Sequence, residues 1–240
     1  MPIPKIIHQT YKNYNLPVIY KNCQNEIKRL NPDFEYRFYT DQDIDKFMKD
    51  NFQEYYDKFN ELPRKIMKID MFRYFLMYKF GGLYADLDYL MLKPFDLTEK
   101  KIVLPSNRED EIGNPICLGN CIFASEAQHP FWKYLMNSLF SINRTKFDYE
   151  IDDNITQNIL GTGPMFVYHS WKNLTEFKND IYIAKRNLFH PPTNNNEIYI
   201  KELRKNGSYG MHMSTGVWRN RTIESSIYWL LKKFKKVFIK

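Results

Sequence analysis

Apolar and β-branched residues crowd the first positions of the chain, Ile3-Pro4-Lys5-Ile6-Ile7, and give way to polar His8-Gln9. That pattern predicts a short buried strand over Ile3–His8 with a polar carboxyl end. Apolar residues at helical spacing follow from Val18 to Leu30, then a turn at Asn31-Pro32-Asp33 and strand-like alternation from Phe34 to Tyr39. Asp41 to Met48 reads as a second helix, capped by Thr40 or Asp41. The clearest helical pattern runs from Pro63, which suits a first helical position, to Phe80, with Gly81 as its stop. Leu83 to Asp86 is then a buried strand. Strand, helix, strand, helix, helix, strand is the opening of an α/β fold with a mainly parallel sheet. Such sheets bind ligands at the carboxyl ends of their strands, where His8-Gln9, Tyr39-Thr40 and Asp86–Asp88 are all predicted to fall.

The second half is less regular. Ile102–Leu104, closed by Pro105, and Ile116–Ala124 read as strands, and His129–Phe140 as a helix. Thr162-Gly163-Pro164 is a turn, and Asn187–Asn196, with Pro191-Pro192 inside it, is a loop. Tyr209–Ser214 reads as a late strand. Ile223 to Phe238 is a patterned helix in which Ile223, Ile227, Leu230, Leu231, Phe234 and Phe238 alternate with Lys232, Lys233, Lys235 and Lys236. It reads either as a helix docked on the core or as a cationic helix resting on an anionic membrane.

The 240 residues, 43% hydrophobic and 17% aromatic, suffice for one domain with a sizeable core. The division expected is a domain over 1–222, with halves 1–96 and 97–222, and a basic amphipathic helix over 223–240. The net charge of +7 favours anionic partners such as nucleotide phosphates or anionic lipid. No motif points to a specific nucleic acid. The three cysteines, Cys23, Cys117 and Cys121, lack paired spacing and read as reduced thiols of a cytoplasmic-type compartment. No secretory signal pattern opens the chain, and no run of about 18 apolar residues predicts a membrane span.

One stretch concentrates the chemistry: Gly81-Gly82-Leu83-Tyr84-Ala85-Asp86-Leu87-Asp88. Two carboxylates two residues apart beside paired glycines suit a hard divalent ion, Mn²⁺ or Mg²⁺, facing a diphosphate. Upstream, Asp70 and Arg73 stand three apart on the predicted helix and share a face. They form either a local ion pair or a pair that reaches sugar hydroxyls and phosphate oxygens in the same cleft. Downstream, Asn120 suits either an acceptor-side position or a buried turn. Asp152, Asp153 and Gln157 read mainly as helix caps.

Asp70-x-x-Arg73-Tyr74, then Gly81-Gly82-x-Tyr84-x-Asp86-x-Asp88, then Lys93-Pro94, resembles glycosyltransferase family 32 and its relatives. These include initiating α-1,6-mannosyltransferases of yeast, capsular polysaccharide sugar transferases and, more remotely, the large clostridial glucosylating toxins. The opening Ile3-Pro4-Lys5-Ile6-Ile7-His8-Gln9-Thr10-Tyr11 is similar to that family's first motif, and Asn120–Trp132, Thr162-Gly163-Pro164 and His212–Trp218 are weaker matches.

The resemblance implies a GT-A-type Rossmann-like mixed sheet flanked by helices, a nucleotide-sugar donor, Mn²⁺ or Mg²⁺, and transfer with retention. It implies Asp86, Asp88 and His212 as metal ligands. Asp70, Arg73, Asp86, Asp88 and Trp218 would form the catalytic group. His8, Gln9 and Tyr11 would join Asp70, Arg73, Asp86 and Trp218 on the donor side, with Tyr11 stacking on the base where relatives often carry Trp. Val217 stands where relatives often have Ser, which leaves Ser214 or Thr215 to supply that diphosphate contact. The expected activity moves a hexose, from a UDP-sugar rather than GDP-mannose, to a glycan, lipid-linked or protein acceptor, in the cytoplasm or at a membrane surface. Two alternatives stand beside it: a nucleotidyltransferase using the same Asp-x-Asp pair, and a silent nucleotide- or carbohydrate-binding module.

Overall fold

The computed structural model describes residues 1–141, 161–194 and 196–215. The first strand, β1 (Ile6–Thr10), starts later than the apolar pattern predicts. Pro4 has no N–H to give a ladder, and Ile3 N–H is spent on the Thr98 carbonyl at 2.8 Å. Helix α1 (Val18–Leu30) leads to β2 (Glu35–Tyr39), and α2 (Asp41–Asn51) opens on a full capping box between Thr40 and Asp43. A short helix α3 (Gln53–Asn60), without a counterpart in the predicted order, precedes α4 (Lys65–Phe80). Pro63 is therefore outside the helix it was expected to start, and Arg64 is the N-cap.

Helix α4 is the buried pillar of the molecule. Met67 and every residue from Asp70 to Met77 are buried, so the helix is apolar nearly all round. It ends at Gly81 (φ 63°), followed by Gly82 (φ 94°). Both glycines are required sterically as well as conformationally. A Cβ on Gly81 would lie 2.6 Å from Ser125 O, and one on Gly82 would lie 2.6 Å from Ile6 O. The chain thus turns at once from α4 into β3 (Gly82–Ala85) in the middle of the sheet.

The remaining strands are β4 (Tyr89–Met91), β5 (Ile102–Glu109), β6 (Pro115–Leu118), β7 (Ile122–Ser125), β8 (Ile181–Ala184) and β9 (Gly210–His212). The main sheet has the order β2-β1-β3-β7-β5-β6, with β8 also paired to β5. Its pairings β1–β2, β1–β3 and β5–β8 are parallel, while β3–β7, β5–β7 and β5–β6 are antiparallel. The sheet is mixed, as a GT-A-type Rossmann-like domain requires, rather than mainly parallel. The span 116–124 is two strands, not one: β6 and β7 run in the same direction, both antiparallel to β5, and the ladder is interrupted between Leu118 and Ile122. A separate antiparallel pair, β4–β9, sets Tyr89 opposite His212.

Helices α5 (Pro130–Ser141) and α6 (Pro164–Lys172) cover the sheet on the α4 side. Pro164 begins a helix rather than ending a turn, as its fixed φ allows. Helix α7 (Arg186–Phe189) takes up Asn187–Phe189, the first residues of the stretch read as a loop, and α8 (Glu197–Lys205) follows that stretch. Trp132 lies fully buried between Tyr74 and Phe123, its indole N–H donating to Ser125 Oγ at 2.7 Å. Among the described residues no helix is long and apolar enough to cross a membrane. Trp218, Asp152, Asp153, Gln157 and the basic segment 223–240 lie outside the described residues.

Candidate metal and donor-sugar site

Helix α4 and strand β3 deliver the first part of the site. Asp70 and Arg73, one turn apart, meet at 3.1 Å, and Arg73 Nη2 reaches Asp86 Oδ1 at 2.8 Å. Arg73 Nη1 donates to the Asn120 carbonyl at 2.8 Å. Asp70 accepts from Asn120 Nδ2 and from Thr162 Oγ1, each at 3.0 Å. Asn120 and Thr162 are thus fastened to the Asp70–Arg73 pair. Tyr84 adds its hydroxyl to Asp86 Oδ1 at 2.7 Å and its ring face to the guanidinium at 4.9 Å. Arg73 Nε, also buried, finds no acceptor among the described residues.

Strand β9 and the residues after it deliver the second part. His212 Nε2 lies 3.0 Å from Asp88 Oδ1 and 3.9 Å from Asp86 Oδ2. Thr215 N–H and its hydroxyl both donate to Asp88 Oδ2, at 2.9 and 2.8 Å. That hydroxyl in turn accepts from Tyr20 at 2.8 Å. Ligand atoms of Asp86, Asp88 and His212 all fall within 4.8 Å of one another. Two carboxylates and an imidazole suit Mn²⁺ or Mg²⁺, so the residues present fit the ion that the sequence implies. Pairing Tyr89 with His212 is what carries the imidazole to the carboxylates.

Electrostatics divide the acids into two kinds. Burial pushes Asp70 up to about 6, against the pull of Arg73 and its two hydrogen-bond donors. Burial likewise raises Asp86, although Arg73 opposes it. Burial acts against the Asp88 charge too, but His212 and the two Thr215 donors hold that carboxyl well below the usual range. His212 is raised despite burial because Asp88 and Asp86 face it. Arg73 stays firmly cationic: burial disfavours its charge, but Asp86, Tyr84 and Asp70 more than offset that cost.

The residues of the first strand expected on the donor side take distinct places. Gln9 Nε2 donates to the Asp86 carbonyl at 3.3 Å and is itself held by the Tyr36 hydroxyl at 2.9 Å. Tyr11 sits edge-on against Tyr20 at 5.5 Å, half-buried beside the Tyr20–Thr215 hydrogen bond. His8 lies inside β1, not at its end, and is fully buried. Its Nε2 is 2.9 Å from the Gly81 carbonyl, which can only accept, so Nδ1 accepts from Tyr39 at 3.1 Å. Burial holds its pKa near 3, and the ring is a neutral anchor of the Gly81-Gly82 turn.

The fold and this constellation define a GT-A-type glycosyltransferase scaffold, and known proteins of that kind resemble the chain. Residues 17–108 match the family described as "Glycosyltransferase sugar-binding region containing DXD motif". Inositol phosphoceramide mannosyltransferase 1 of Schizosaccharomyces pombe is 28% identical over 244 residues, covering 99% of this chain and 72% of that protein. Mannosyl phosphorylinositol ceramide synthase CSH1 of Saccharomyces cerevisiae is 31% identical over 178 residues, 74% of this chain but 44% of its own length. The solved PaToxG Glycosyltransferase shares the fold, with a TM-score of 0.51, 15% identity and coverage of 98% of this chain and 86% of that one. The protein is a GT-A-fold chain related to the DXD-containing sugar-binding glycosyltransferases and to yeast mannosyltransferases.

Proposed function

We propose that the protein transfers a hexosyl residue, retaining its anomeric configuration, from a nucleotide diphosphate sugar to an acceptor hydroxyl. The convergence of Asp86, Asp88 and His212 within 4.8 Å, beside the buried Asp70–Arg73 pair, carries this reading. Asp88 and His212, with Asp86, would hold Mn²⁺ or Mg²⁺. When bound, that ion would neutralise diphosphate charge and favour its departure.

The other roles fall to the chain's own groups. Asp70 accepts hydrogen bonds from the transferred sugar's hydroxyls, and Arg73 orients those hydroxyls or a phosphate oxygen. Gln9 and Tyr11 line the nucleoside side, and His8 fixes the turn beneath it. Trp218 would donate its indole N–H to the diphosphate. Thr215 spends its hydroxyl proton on Asp88, so Ser214 would supply the hydroxyl that Val217 does not have. In a front-face transfer the departing phosphate oxygen accepts the acceptor's proton, so no protein nucleophile is required. Residues 1–96 would then form the donor half and 97–222 would add the acceptor side and His212.

The relatives' names support a mannosyl donor over the UDP-hexose expected from sequence, and an acceptor carrying a phosphoinositol head on a ceramide. A lipid acceptor agrees with the net charge of +7 and the basic segment 223–240. The test is transfer from GDP-mannose and from UDP-glucose to vesicles containing inositol phosphoceramide, with and without Mn²⁺. Mn²⁺-dependent mannosylation with an α-linked product, lost in Asp88→Asn at unchanged melting temperature, is expected. Full activity of Asp88→Asn would overturn the metal assignment, and turnover of nucleoside triphosphate alone would overturn glycosyl transfer.

A further inference from the structure

A second set of ligand-type side chains adjoins the first. Cys121, His190 and His212 place one sulfur and two ring nitrogens within 4.8 Å of one another. They come from three separate elements, and each is braced. Cys121, in the turn before β7, has its carbonyl fixed by Asp86 N–H at 2.7 Å. His190 follows α7, and its N–H donates to the Arg186 carbonyl at 2.7 Å. Phe189 stacks on Tyr209 at 4.3 Å and 7°, and its carbonyl accepts from the Tyr89 hydroxyl at 2.9 Å. These interactions hold α7 against β4 and β9, so the His190 and His212 rings stand 5.7 Å apart. Gly119 makes room for this: a Cβ there would lie 3.3 Å from His190 Cδ2 and 3.2 Å from Pro105 Cγ.

We propose that Cys121, His190 and His212 form a second metal site, selective for a borderline or soft ion such as Zn²⁺, which shares His212 with the Asp86–Asp88 pair. The donor chemistry divides the two sites. A thiolate and two imidazoles prefer Zn²⁺, whereas two carboxylates and an imidazole take Mn²⁺ or Mg²⁺. The size is suitable. Zinc bonds of about 2.0–2.3 Å put tetrahedral ligand atoms about 3.4–3.6 Å apart. The widest allowed pair, at 4.8 Å, closes by about 1.2 Å through side-chain rotation of the two rings. Binding exchanges the thiol proton for the cation, and the proton leaves to solvent. Because His212 belongs to both sets, filling the Cys121–His190 side weakens the hold of the carboxylate side on its own ion. This last consequence rests on the proposed role of Asp86, Asp88 and His212, while metal binding at Cys121 does not.

The test uses the full chain, stripped of metal and kept reduced with a phosphine, titrated with Co²⁺ as a spectroscopic stand-in for zinc. Wild type is expected to develop thiolate-to-cobalt charge-transfer absorption that Zn²⁺ then bleaches. Cys121→Ser should lose that band. His190→Gln should weaken Co²⁺ binding about tenfold or more. Both variants should keep the thermal shift produced by Mn²⁺. No charge-transfer band in wild type overturns the proposal, as does a band that survives in Cys121→Ser or an affinity unaltered in His190→Gln. Should Cys121→Ser fail to fold, the wild-type spectrum and His190→Gln still decide. The readout is absorbance, so loss of glycosyl transfer and loss of this site are separately visible.

Discussion

Replacing Arg73 with methionine isolates the electrostatic keystone of the cleft. Arg73 is 5% exposed, and its guanidinium holds Asp86 at 2.8 Å, Asp70 at 3.1 Å and the Asn120 carbonyl at 2.8 Å. Methionine fills much of the same volume with a flexible apolar chain, which keeps the cavity contribution small. What remains is buried Asp70 and the Asn120 carbonyl facing no cation, and part-buried Asp86 left with His212 alone at 3.9 Å. Breaking a buried pair by removing one partner costs about 3–5 kcal/mol. For a domain of this size each kcal/mol lowers Tm by about 2–4 °C, so Tm should fall by about 6–20 °C.

The loss depends on pH, and its sign is fixed by the acids. Burial has raised Asp70 to about 6 even with the arginine present. Without Arg73, Asp70 and Asp86 rise further. A carboxyl raised in the folded state contributes stability at low pH that is lost as pH climbs through its folded value. The deficit of Arg73→Met against wild type should therefore be largest above pH 7 and shrink toward pH 5. Adding Asp70→Asn to Arg73→Met should recover part of it at pH 7.5. Urea denaturation of the metal-free chain at pH 5 and 7.5 measures both. A penalty under about 1 kcal/mol, or one constant across that range, refutes a buried charge network centred on Arg73.

Three further outcomes are expected. His8 is held neutral with a pKa near 3, so stability present above its ordinary value of 6.5 is lost as pH falls. His8→Gln should spare about 2–3 kcal/mol of the loss between pH 6.5 and 4.5, read by denaturation at both. Gly82→Ala meets Ile6 O at 2.6 Å, whereas Gly113→Ala at a similar φ meets nothing within 4 Å. Gly113→Ala should cost about 1–2 kcal/mol from conformation alone and Gly82→Ala distinctly more, and equal melting points would remove the steric role of Gly82. Thr215→Val removes the hydroxyl that steadies Asp88 and should weaken Mn²⁺ binding by about 10–100-fold, measured calorimetrically.

The part of the site built by α4 and β3 was legible because its chemistry is local. Asp70 and Arg73 share one helical turn, Asp86 and Asp88 lie two apart, and paired glycines with obligatory positive φ mark the reversal between the two groups. The Thr40 cap and the α4 stop were readable for the same reason. The start of α4 was not, since Pro63 suits a helix start and a pre-helix turn equally, and Arg64 takes the cap. Strand β8 and helices α7 and α8 escaped because each is short and owes its stability to partners elsewhere in the chain. The break at Gly119-Asn120 was hidden inside an apolar run whose two halves both pair antiparallel with β5. His212 was found through resemblance and not through spacing. The grip of Asn120 and Thr162 on Asp70, and the approach of His190 to Cys121, have no signature in a linear pattern. The first comes from the β6–β7 connection and the start of α6 closing on α4, the second from the packing of α7 against β4 and β9.

That β4–β9 meeting also sets a clock on synthesis. The Asp88–Thr215 hydrogen bonds close a separation of 127 residues. At ribosomal speeds of about 5–20 residues per second, roughly 6–25 s pass between making Asp88 and making Thr215. During that interval the carboxylates exist without the imidazole and hydroxyl that complete their cluster. A nascent or prematurely released chain lacking β9 would carry most of the sheet yet hold metal poorly. Assembly of the Asp86–Asp88–His212 cluster thus waits until β9 has been laid down.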